Sequence, residues 1–261
     1  MGLATTLVVL GICQLLDRVI FPLNYELMFL GMSLGGLLSY YYSSHIKLEP
    51  SIPPPLEQSK SIKTQLIEMK RLVLSEKPFT AFMLKRLIVF TGIQLSAPLI
   101  PLYLVRVVQA SDAWISFINT AQTAILVLGY FFWTHQSRKH GSSRVLILTT
   151  LGVSLYPVLL SLSIVPWQIA IISGVAGIFS AGLDLIFFDE LMKTVPIEYS
   201  ALFVSFAQMM QYLSAILSPM VGSFLADAFS IQTGLIVAGV IRFMGFLAFF
   251  LSYRNSRRRV A

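Results

Sequence analysis

An all-α, polytopic transmembrane bundle of about eight spans is the fold class this sequence predicts, on three observations. Apolar residues make up 56% of the chain and charged residues only 12%, a balance soluble domains do not show. The apolar residues gather into runs of about 20, enough at about 1.5 Å per residue to cross a hydrocarbon layer of roughly 30 Å. The basic residues fall mainly between those runs and at the C-terminal end.

The first run, Leu3 to Ile20, ends at the break DRVIFPLN. No basic segment precedes it and no small-residue cleavage site follows, so it reads as a retained helix rather than a signal peptide. The second, Asn24 to Ser43, closes on Tyr40, Tyr41 and Tyr42, an aromatic group suited to a membrane interface. Its Gly31, Gly35 and Ser39 put small side chains on one packing face. Residues 1–43 are therefore expected to form two helices.

Residues 44–81 change character. Lys47, Lys60, Lys63, Lys70, Arg71 and Lys77 appear there, and Pro53, Pro54 and Pro55 forbid a helix. Beyond the prolines, Ile62, Leu66, Met69 and Val73 make one apolar stripe at helical spacing. An amphipathic helix on the membrane surface and an exposed connector both fit this linker.

Six further spans follow, over 82–109, 113–133, 145–165, 167–188, 201–226 and 231–253, and a basic tail, 254–261, ends the chain. Pro98 and Pro101 predict a kink in the first of the six. The stretch Thr134 to Val145, THQSRKHGSSRV, reads as a short basic loop, and Arg138, Lys139 and Arg144 place it in the cytoplasm by the positive-inside rule. Eight spans return both termini to that side. Lys85, Arg86, Lys193, Arg254, Arg257, Arg258 and Arg259 then fall inside, and only Arg18 and Arg106 outside.

The net charge of +7 raises nucleic acid as a partner, but the positive charges lie beside spans, where anionic lipid is nearer. No nucleic-acid partner is expected. Cys13 is the one cysteine, so no intrachain disulfide forms. His45, His135 and His140 lack ligand spacing, and no nucleophile or phosphate-loop motif occurs. The sequence predicts neither an enzyme nor a metal or cofactor site.

An ionisable group inside a bilayer costs about 2.5 to 3.5 kcal/mol on insertion scales, so a span that keeps one usually uses it. Asp184 and Arg242 are such groups. Asp184 fits either a structural partner for Arg138 or Lys139 at an inner gate or a substrate or proton site. Arg242 fits either an anion contact in a cavity or packing. An axial offset of roughly 9 Å argues against pairing the two. Uncharged candidates for a solute pathway are Gln94, Asn119, Gln122, Gln208, Gln211 and Tyr212, with Tyr103 beside them. Gln208, Gln211 and Tyr212 share a helix face. The small-residue stripes Ser214, Ser218, Gly222, Ala226 and Ser173, Gly177, Ala181 read as packing surfaces.

Two segments resemble parts of the major facilitator superfamily. KPFTAFMLKRLIVFTGIQLSAPLIPLYLV looks like its seventh helix, and GIFSAGLDLIFFDELMKTVPIEYSA like its tenth. The basic loop sits where the second G-x-x-x-D-R-x-G-R-R type motif belongs. Aligned on Gly141, Thr134 stands at the first glycine, Arg138 at the aspartate, Lys139 at the arginine and Ser142 at the next arginine. The resemblance implies a six-helix C-terminal bundle preceded by the family's fifth and sixth helices, in a chain truncated at its N-terminal end. It further implies secondary transport of a small solute by alternating access, with proton coupling as one form. Arg138, Lys139, Gly141, Asp189 and Glu190 would form a cytoplasmic gate. The partners would be the bilayer of the plasma (inner) membrane and the missing N-terminal half or a second chain. The alternative is a non-transport membrane scaffold or assembly protein that kept the helices and lost the cavity.

Overall fold

The computed structural model describes residues 23–45, 71, 75–196 and 199–260. The chain divides into two compact units, Met1–Leu56 and Glu57–Ala261. In the first, α1 (Leu23–Ser44) covers the second predicted run. At 22 residues it is long enough to span a bilayer, but its asparagine, glutamate and four tyrosines keep it out of the six helical segments apolar enough to qualify by composition. The first predicted run and most of the linker, including its apolar stripe, lie outside the described residues.

All six qualifying segments belong to the second unit. They are built from α2 (Lys77–Ser96) with α3 (Leu99–Arg106), α4 (Asp112–His140), α5 (Ser142–Ser161), α6 (Pro166–Thr194), α7 (Ser200–Ala228) and α8 (Ile231–Val260). Pro78 and Pro166 stand in first turns, where a missing N–H costs nothing. Between α2 and α3 the helix breaks at Ala97 and Pro98. Ala97 N–H turns to Gln94 O at 3.3 Å, and neither Pro98 nor Pro101 has an N–H to continue the ladder.

Two stretches are more helical than the sequence predicts. The basic stretch is not a loop: α4 runs through Thr134 to His140, and the connection to α5 is Gly141 alone, at φ 84°. Nothing in THQSRKH breaks a helix, and cations at a C-terminal end complement its dipole. Glycine then takes the positive φ that reverses the chain. Likewise α8 runs through the basic tail to Val260.

Within this unit α6 packs along α4 and α5, α8 along α5 and α2, and α7 along α2. The helices so form a row, α4, α6, α5, α8, α2, α7, which contacts between α2 and α6 draw together. Small residues set the close approaches. A Cβ at Gly129 would stand 3.0 Å from the Cα of Ile178, and Ser214 meets Thr91 Oγ1 at 3.3 Å. Two apolar cores fill the bundle, one toward each end of the helix axes. One gathers Phe79, Phe82, Val145, Phe187, Phe203 and Phe249, and the other Leu99, Tyr103, Ile118, Leu160, Ile169 and Leu235. The first marks the end that holds Arg138, Lys139, Arg144, Lys193 and Arg254.

Candidate functional site

The flanking helices α4 and α7 are the least buried of the six spans. On their open surfaces polar side chains interrupt apolar ones: Asn119, Thr123 and Tyr130 on α4, Gln208 and Tyr212 on α7. Between Ile236 and Leu251 the exposed side chains of α8 are all apolar, among them Val240, Phe243, Met244, Leu247 and Leu251. That contrast separates surface suited to lipid from surface suited to water or another bundle.

Charged and polar groups of α2 and α6 meet those of the flanking helices α7 and α4. Arg86 is 9% exposed, and its guanidinium lies 5.0 Å from the Phe90 ring centre and 5.7 Å from that of Phe187. Its Nη2 donates to Gln211 Oε1 at 3.1 Å, whereas its buried Nε has no partner. One helix away, Tyr130 donates to Asp184 Oδ2 at 3.5 Å, and the Asp184 side chain is open. Asp184 lies one turn before Phe187, whose ring flanks the Arg86 guanidinium, and the two charges form no salt bridge among the described residues. The site thus holds two opposite charges, each solvated by neutral groups and neither neutralised by an ion within 4.0 Å among the described residues.

Arg86 is the group that sequence reasoning missed. It follows Lys85 beside a basic linker and so reads as an interfacial charge. Because α2 starts at Lys77, Arg86 sits about 14 Å along the helix, inside the segment Lys77–Arg106 that is long and apolar enough to cross a membrane. The signal that would find it is the apolar run on both sides, Phe79 to Leu84 and Leu87 to Phe90, broken only by Thr80.

Arg242 goes elsewhere. It is 3% exposed where α8 crosses α2 and α5, donating through Nη1 to Val153 O at 3.0 Å and through Nη2 to Ser96 Oγ. Pro157 stands four residues after Val153 and has no N–H, so α5 leaves this carbonyl free and the guanidinium takes it. Tyr103 does similar work at the far end of α5, its hydroxyl donating to Ser161 O at 3.1 Å and Ser163 O at 3.0 Å. Gln94 and Gln122 are half-buried, and Asn119 is exposed on α4.

At the basic end, Asp189 and Glu190 pair with Lys193 at 2.7 and 3.1 Å, and both Glu190 and Lys193 bond Ser142 at the start of α5. Glu190 ties α6 to α5 directly at Ser142, and Asp189 does so through their shared lysine. Arg138 and Lys139 are exposed and in no salt bridge among the described residues, and Arg144 Nε donates to Tyr253 OH at 3.2 Å.

No curated protein matches the chain. The model of the Major Facilitator Superfamily matches residues 82–261, which is the whole second unit apart from the start of α2 and the linker before it. A match over well over half of the chain, falling on six membrane-crossing helices, makes this protein a member of the Major Facilitator Superfamily.

Proposed function

We propose that the chain is a secondary transporter of a small solute working by alternating access, and that the face of α2, α4, α6 and α7 is one wall of its pathway. The observation that carries this reading is the unpaired Arg86 and Asp184 on that face, with Gln211, Tyr130, Gln208 and Tyr212 around them. Charges inside spans are costly unless a water-filled path or a ligand meets them. A second bundle facing this wall completes the pathway, as rigid-body rocking of two bundles requires. The site lies in the plasma membrane, with the basic end of the bundle in the cytoplasm.

Single cysteines placed in a Cys13→Ser background test the wall. Cysteines at Gln208, Tyr212 and Asn119 are expected to react with a membrane-impermeant maleimide in inside-out or right-side-out vesicles, and cysteines at Phe243 and Leu247 on α8 to stay unreactive in both. Equal protection of both sets would show a sealed helical scaffold and overturn the transport reading.

A further inference from the structure

The two unpaired charges carry information about the solute itself. Arg86 keeps its proton, and its guanidinium carries a buried Nε without a hydrogen-bond partner, while Nη2 donates to Gln211 and two aromatic rings flank the group. An unpaired buried donor asks for an acceptor, and a planar guanidinium meets a carboxylate best, through two parallel bonds. Asp184 stands one turn before Phe187, whose ring centre lies 5.7 Å from the Arg86 guanidinium, and so opposes a ligand that brings negative charge alone. By the same reasoning Arg86 opposes a ligand that brings positive charge alone. A solute bearing both charges satisfies both side chains and adds no net charge to the layer.

We propose that this site selects a zwitterionic solute of the amino-acid type, its carboxylate on Arg86 beside Gln211 and its ammonium group on Asp184 and Tyr130. The proposal rests on the polar face being the solute wall. Aromatic packing against Phe90 and Phe187 fixes the guanidinium plane, so the site is preorganised for the carboxylate end. The spacing of the two charges sets the length of the solute.

The test reads binding without flux, so a failure of transport and a failure of this assignment are distinguishable. The full chain, labelled with nitrogen-15 arginine and placed in lipid nanodiscs, is titrated with glycine, β-alanine and 4-aminobutyrate. Each is matched by the carboxylate lacking the amine: acetate, propionate and butyrate. The Arg86 Nε–H line, assigned by its loss in Arg86→Lys, is expected to shift saturably with at least one zwitterion. That zwitterion should bind at least about tenfold more tightly than its matched carboxylate, a difference of about 1.4 kcal/mol. Asp184→Asn is expected to abolish the preference, and the Arg242 Nε–H line to stay fixed. Should Arg86→Lys fail to fold, Gln211→Ala assigns the line by moving it. No saturable shift with any zwitterion, or equal binding of each pair, overturns the proposal.

Discussion

Arg242 shows how one side chain repairs a defect made by another. Pro157 deprives the Val153 carbonyl of its helical partner, and the guanidinium from α8 replaces it across the interface. The stem reaches that carbonyl only by passing α2 at Gly92, where a Cβ would lie 2.6 Å from Arg242 Cγ. Removing Arg242 alone relieves a buried charge but strands a buried carbonyl, so its net effect mixes two opposing costs. The coupling is cleaner. Restoring the N–H by Pro157→Ala returns the carbonyl to its own helix, so Arg242→Met is expected to cost about 1 to 2 kcal/mol less in the Pro157→Ala background than in the parent. Denaturant unfolding of the four proteins in one detergent measures the difference, and additivity within about 0.5 kcal/mol would dismiss the repair.

At the scale of elements, the junction of α4 and α5 is the most economical in the bundle. Gly141 alone reverses the chain, at φ 84° and ψ 148°, a conformation essentially confined to glycine, so an L side chain there costs roughly 1 to 3 kcal/mol. Gly141→Ala and Gly141→Asn are both expected to lower unfolding stability by about that amount, because asparagine's tolerance of positive φ is confined to the αL region and does not reach ψ 148°. Equal stability of all three in thermal unfolding would mean that the junction relaxes into another turn. This junction also shows what the sequence could disclose. Glycine among basic residues signals a chain reversal, but the length of the loop was not legible, because basic residues suit a helix C-terminus as well as a loop. The spans were legible from their apolar runs, and the break at Pro98 from its missing donor. Gln211 was found as a polar residue in a span, whereas Arg86, hidden beside Lys85, was not. The partners of Asp189 and Glu190 also escaped, since Lys193 on their own helix competes with any cation of another.

At the scale of the whole molecule, the distribution of charge predicts an orientation. The end of the second unit capped by Phe79, Val145, Phe203 and Phe249 carries Arg138, Lys139, Arg144, Lys193 and Arg254, and the other end carries Arg106. Asp189 and Glu190 reduce the net charge of the first end, but carboxylates count for little in setting orientation, so the lysines and arginines decide. Short connections strengthen the inference: Gly141 joins two spans with no room for a translocated domain, and 162–165 joins the next two. The basic end is therefore expected to face the cytoplasm. In intact cells, with Cys13 replaced, a cysteine at Ala110 should react with an impermeant maleimide added outside. A cysteine at His140 should react only after the membrane is permeabilised. The reverse pattern would invert the bundle, and would mean that segments beyond these six spans dominate the orientation.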